Sequence, residues 1–170
     1  MRIESLALAC LQEIGRHDFR VSGTQVLMGL IAGLVTIVVV LVHYESLSTL
    51  ARLMPILRLP RRMRIMVAIF GMLVAHVVEV WIFGLTYWWL DRWPELGRLP
   101  GTFEEGALDF VYFSVVTYTT LGYGDIVPTG PIRILAGTEA LVGLALITWS
   151  ASFSFLEMQR DWYEFAKRRS

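Results

Sequence analysis

Seven consecutive residues, Thr119-Thr120-Leu121-Gly122-Tyr123-Gly124-Asp125, have the types and spacing needed to hold a dehydrated cation on backbone oxygens. Rings of carbonyls replace an ion's hydration shell where a short stretch of non-helical backbone lines a pore. Glycine adopts left-handed dihedrals that a side chain penalises. Gly122 and Gly124 therefore let successive carbonyls of Thr120, Leu121, Gly122 and Tyr123 turn toward one axis. The Thr120 hydroxyl adds a further oxygen at the inner end. Asp125 follows directly and would place a carboxylate at the outer mouth, while Glu104, Glu105 and Asp109 either assist it or are ordinary helix-start charges.

Irregular backbone survives at membrane depth only when it is buried in protein or lines a cavity, so this loop needs spanning helices around it. Residues 24–43 predict the first: Val26 to Val42 is seventeen residues without a charge, roughly 26 Å at the helical rise. Gly29 and Gly33 either permit a close helix contact or are ordinary membrane glycines. Residues 65–90 predict the second, an outer helix ending in an interfacial belt of Tyr87, Trp88 and Trp89. Residues 91–106, broken by Pro94, Gly97, Pro100 and Gly101, predict a polar turret. Residues 107–118 are too short to span and predict a re-entrant pore helix, whose C-terminal dipole end favours a cation beyond it. After the loop 119–125, residues 131–158 predict an inner helix with Pro131 in its first turn. The expected fold class is an all-α membrane protein, with three transmembrane helices, a re-entrant pore helix and a selectivity-filter loop assembled around a central pore.

The remaining segments are polar or basic. Residues 1–23 read as a short interfacial helix or a frayed terminus. Residues 44–64 carry Arg52, Arg58, Arg61, Arg62 and Arg64, with Pro55 and Pro60 limiting any helix. They predict a basic cytoplasmic linker lying at the membrane surface. The three-residue spacing of Arg58, Arg61 and Arg64 resembles a voltage sensor, but the prolines and the few preceding spans argue against one. Residues 161–170 predict a cytoplasmic tail, too short to house a regulatory domain, which leaves gating to the membrane-embedded body. The linker has five arginines against one glutamate from residue 45 to 64, whereas residues 91–109 have two arginines against five acids. Positive-inside bias then puts the linker and C-terminus inside and the turret and N-terminus outside, in a multi-pass protein of the cell membrane. Anionic lipids are the expected partners of the basic segments.

A chain of 170 residues with 55% hydrophobic and 18% charged residues and mean hydropathy +0.57 fits a small integral membrane protein. Its formal net charge of +0 gives no reason to expect a nucleic-acid partner. The single cysteine, Cys10, excludes an intrachain disulfide and a cysteine-based metal cluster. His17, His43 and His76 are far apart and show no metal-binding spacing, and Ser114 lacks the signature of an activated nucleophile. Neither an enzyme nor a cofactor is expected.

Two acids lie inside spanning segments. Helix rise puts Glu79 and Glu139 at roughly 15 and 12 Å depth, where each must face protein, water or a partner, or keep its proton. They predict a buried polar network behind the loop, with His76 one short turn from Glu79. The two acids either share a proton directly or make separate structural hydrogen bonds.

Residues 105–125, ending Thr117-Tyr118-Thr119-Thr120-Leu121-Gly122-Tyr123-Gly124-Asp125, resemble the pore helix and signature loop of tetrameric potassium channels. Ile126-Val127-Pro128 continues the likeness, which with the flanking helices covers about residues 65–160. The chain looks like a small prokaryotic-type member with an additional N-terminal transmembrane helix. The resemblance implies a homotetramer that conducts potassium passively, with potassium ions as permeant ligands. A nonselective cation channel and a non-conducting regulatory subunit are the alternatives. It further implies filter support from Gly124, Asp125, Tyr112, Phe113 and Val116, the two aromatics forming a cuff of which one member reaches Asp125. Leu121 stands where valine is usual, and Val116 is apolar where some relatives carry a carboxylate. Tyr123 is retained where less selective relatives often carry an acid. Gly143 falls where the family often has a hinge glycine, although Gly137 and Gly143 equally suit close packing. Counting from it, Leu144, Ile147, Ala151 and Phe155 would line the pore and take part in gating.

Overall fold

Apolar runs too long for a water-soluble core become helices, because a helix pairs its own backbone groups and a lone strand in lipid cannot. The computed structural model describes residues 22–56, 60–101 and 106–167. In order these form α1 (Gly23–Ile56), α2 (Arg61–Leu90), a 3₁₀ turn (Pro94–Leu96), α3 (Ala107–Tyr118) and α4 (Ile132–Lys167). Three of the helices, α1, α2 and α4, are long and apolar enough to cross a membrane, and α3 is not. The expected N-terminal interfacial helix lies outside the described residues, as do Arg58, Glu104 and Glu105.

The first helix does not stop where the charge-free run stops. It continues for 34 residues to Ile56, about 51 Å, so residues 44–56 are helix rather than a separate surface-lying linker. The cause is a second buried stripe: Leu47, Leu50 and Met54 follow His43 at helical spacing and pack with Ala68 and Met72 of α2. Pro55 falls in the last turn, and Pro60 sits immediately before α2, where its missing N–H breaks no helical bond. Similarly α4 runs past residue 158 to Lys167, taking in most of the expected tail. No glycine or proline interrupts it after Gly143.

The short α3 packs directly against α2 and α4 and shares a buried core with α1. Its Phe113 and Tyr118 join Met28, Ala32 and Val39 of α1, Phe83 and Tyr87 of α2, and Leu135 and Leu146 of α4 in one buried cluster. Two glycines bring backbones unusually close. A Cβ on Gly84 would lie 2.9 Å from Val111 Cα, and one on Gly143 would lie 2.2 Å from the Tyr118 carbonyl oxygen. Gly143 is therefore buried against α3 rather than lining an open surface, and α4 is continuous through it. In the single chain this glycine packs closely against the end of α3. Gly137 has nothing within 4 Å of such a Cβ. Leu144, Ile147, Ala151 and Phe155 lie exposed on the single chain.

The turret is anchored at both ends. Asp91 Oδ1 accepts the Leu99 amide at 3.1 Å, Leu96 and Leu99 are buried, and Arg98 and Thr129 exchange backbone hydrogen bonds of 3.1 and 2.8 Å. This bridge ties the turret to the chain just beyond the loop.

Replacing Gly143 by alanine should lower stability by about 1–3 kcal/mol, since the intruding methyl meets backbone that cannot rotate away. Gly71→Ala should cost less, because its Cβ meets only the end of the Leu50 side chain, at 2.6 Å. Thermal unfolding of the two variants in one detergent checks the order.

Candidate functional site

The last turn of a helix leaves carbonyls without intrahelical donors, and the loop that follows α3 supplies them. Thr119 N–H and its hydroxyl both donate to Val115 O, at 3.0 and 2.7 Å. Thr120 N–H donates to Thr117 O at 2.9 Å, and Val116 O accepts both Leu121 N–H at 2.9 Å and Gly122 N–H at 3.3 Å. These amide hydrogens are drawn back toward α3, so the carbonyls are left to face the opposite side.

Dihedral angles reinforce that arrangement. Thr120, Gly122 and Gly124 have φ of 57°, 58° and 81°, while Leu121 and Tyr123 between them stay on the negative side. Alternating left- and right-handed residues align successive peptide groups along one edge of the loop. The glycines mark two of these positions in the sequence. The third, Thr120, carries a side chain in a region costing about 1–2 kcal/mol, and the hydrogen bonds from the loop back to the last turn of α3 hold it there.

At the outer end of the loop, Tyr112 donates its hydroxyl hydrogen to Asp125 Oδ2 at 2.7 Å, and Asp125 Oδ1 accepts the Ile126 amide at 3.1 Å. Of the two aromatics expected to form a cuff, Tyr112 makes the polar contact. Phe113 instead packs edge-on against Tyr87, ring centroids 5.0 Å apart. The Tyr112 hydrogen bond holds the Asp125 carboxyl below the usual carboxylate range.

Behind the loop two carboxyls are completely buried, each with its own partners. Glu139 of α4 accepts hydrogen bonds from Tyr87 of α2 and Ser114 of α3. Ser114 Oγ also lies 2.9 Å from Val80 O. A hydroxyl has one hydrogen to give, so Ser114 shares it between these two oxygens. Glu79 of α2 accepts from Tyr118, meets His43 Nδ1 at 2.8 Å and meets His76 Nδ1 at 3.1 Å. The direct Glu79–Glu139 contact held open by the sequence is absent among the described residues. The acids grip different turns of α3 instead, through Ser114 and Tyr118.

His43 is the clearest correction. Thirty-odd residues separate it from His76, yet α1 and α2 place the two rings 5.4 Å apart. Linear spacing cannot show a cluster built across helices, but the buried stripe beginning at His43 was a readable signal. Ser114 and Tyr118 also share with Val111 one face of α3, the face that a packed partner must satisfy.

Residues 63–159, more than half of the chain, match the model of a family described as ion channel. Similar curated proteins include two pore potassium channel b of Oryza sativa subsp. japonica, 42% identical over 53 residues, which are 31% of this chain and 15% of the relative. Two-pore potassium channel 1 of Arabidopsis thaliana is 39% identical over 51 residues, 29% of this chain and 14% of the relative. The chain thus covers only a small part of either relative. No solved structure gives a significant match. The chain belongs to this ion channel family and is a membrane-embedded protein.

Two substitutions test the supports. Tyr112→Phe should raise the Asp125 pKa toward its ordinary value, so the outer carboxylate would lose its charge at higher pH than in the wild type, read from carbon-13 NMR of labelled aspartate. Glu139→Gln should fold normally, since its amide can donate to Ser114 and accept from Tyr87. Glu139→Ala strands both hydroxyls and should cost about 1–3 kcal/mol in thermal unfolding.

Proposed function

We propose that the chain is a potassium-selective channel subunit, four copies of which conduct potassium passively through a central pore. The observation that carries this reading is the loop 119–125, whose amides from Thr119 to Gly122 are bound to α3 and whose left-handed residues alternate. That geometry suits carbonyl coordination by Thr120, Leu121, Gly122 and Tyr123.

One chain offers one such loop, and all of it from Thr119 to Asp125 is exposed. A closed ring of oxygens needs further copies, and the likeness to tetrameric potassium channels implies four. Exposed Leu144, Ile147, Ala151 and Phe155 supply an apolar face for the inner pore and for neighbouring copies. The names of the two plant relatives both include potassium, which supports that ion over others. Charge bias supports an orientation in which the arginine-rich stretch from Arg52 to Arg64 and the basic residues from Lys167 to Arg169 face the cytoplasm beside anionic lipid, and Asp125 faces outward.

In planar bilayers with opposed sodium and potassium gradients, the reversal potential of the purified protein should follow the potassium gradient. Equal permeability to the two ions would overturn the selectivity, and absence of current would overturn conduction.

A further inference from the structure

Behind the loop, three helices bring two imidazoles, one carboxyl and one phenol to a single point. His43 of α1, His76 of α2 and Glu79 of α2 each offer a ligating atom within 4.8 Å of the other two. Tyr118 of α3 closes the group, its hydroxyl 2.9 Å from His76 Nδ1 and bonded to Glu79. We propose that His43, His76 and Glu79 form a binding site for a divalent transition-metal cation of the zinc type, with the Tyr118 hydroxyl bordering the fourth position.

The donor set selects the metal. Imidazole nitrogen with carboxylate oxygen suits zinc and its neighbours, whereas calcium and magnesium take oxygen ligands. Spacing also fits. Metal bonds of about 2.0–2.1 Å at tetrahedral angles set ligand atoms roughly 3.3 Å apart. Both His Nδ1 atoms already face Glu79, at 2.8 Å to Oε1 and 3.1 Å to Oε2, and all three donors lie within 4.8 Å of one another, so a cation would draw together groups that already converge.

The second observation concerns hydrogen bonding. His43 is fully buried, and its Nε2 has no partner among the described residues. Native proteins rarely leave such an atom unpaired, so an unpaired one calls for an explanation. Here it leaves the ring free to change tautomer. When a cation takes Nδ1, the ring hydrogen can move to Nε2; a donor already bonded there would pin the hydrogen on Nδ1 and block coordination. His76 provides the way in, since its side chain is 17% exposed and lines a crevice of about 400 Å³ with Val80, Val115, Thr119 and Ile147. A cation at this point would join α1 and α2 to the last residue of α3, directly before the loop.

Cobalt(II) tests the site independently of conduction. The purified full-length protein, stripped with chelator, should develop the strong visible absorption of four-coordinate cobalt, saturating at one cation per chain and abolished by added zinc. His43→Gln and His76→Gln should each weaken binding at least about ten-fold. His76→Gln alters the partly exposed member, and its circular dichroism and elution volume should match the wild type, so a lost signal reports binding rather than unfolding. Absence of the absorption in the wild type, or unchanged cobalt affinity in both variants, would overturn the site while leaving the channel reading untouched.

Discussion

The carbonyl oxygen of Val116 accepts two amide hydrogens, from Leu121 and Gly122, and the form of the loop depends on that one acceptor. A chain leaving a helix inside a membrane has no water to satisfy its peptide groups, so each must find protein. Turning the Leu121 and Gly122 amides back onto α3 meets this demand with groups that the helix end leaves free. It also decides which side the carbonyls take. Local strain at Thr120 persists because the hydrogen bonds on both sides of it over-determine the backbone there.

For Val116 to act as an anchor, α3 itself must not move. It is only 12 residues long, too short to be stable alone, and its stability comes from what surrounds it. Phe113, Val116 and Tyr118 are buried, and the Ser114 and Tyr118 hydroxyls bond to Glu139 and Glu79. Apolar contact with lipid-like side chains is weakly directional, whereas a hydrogen bond in a low-dielectric interior fixes both rotation and depth. The two buried carboxyls therefore act as pins on successive turns of α3. Gly143 complements them by letting α4 meet the Tyr118 backbone without a side chain between.

The additional first helix is part of this frame. Met28, Ala32 and Val39 of α1 share the central cluster with α3, and His43 reaches Glu79. Below that point Leu47, Leu50 and Met54 lock α1 to α2. One continuous helix thus connects the packing beside the loop with the basic end of the molecule, and a displacement of α1 would be felt by the carboxyl that holds Tyr118.

Much of the architecture was legible in the sequence because its cause is local. Uninterrupted apolar length fixes three spanning helices, the short run 107–118 fixes a helix that cannot span, and Gly122 and Gly124 mark where the backbone turns left-handed. The burial demand on Glu79 and Glu139 could also be read directly, since hydrocarbon does not tolerate an unpartnered carboxyl. Their partners could not. His43, Tyr87, Ser114 and Tyr118 come from helices remote in the chain, and which side chains meet depends on helix rotation and depth that no local pattern specifies. The same reason explains the length of α1, where burial of Leu47, Leu50 and Met54 against α2 carries the helix on to Pro55 in its last turn. It also explains Gly143, whose close approach to the Tyr118 backbone is seen only in the packed structure. Composition and spacing determined what had to be buried and where the chain had to bend; packing in three dimensions decided what each buried group would hold.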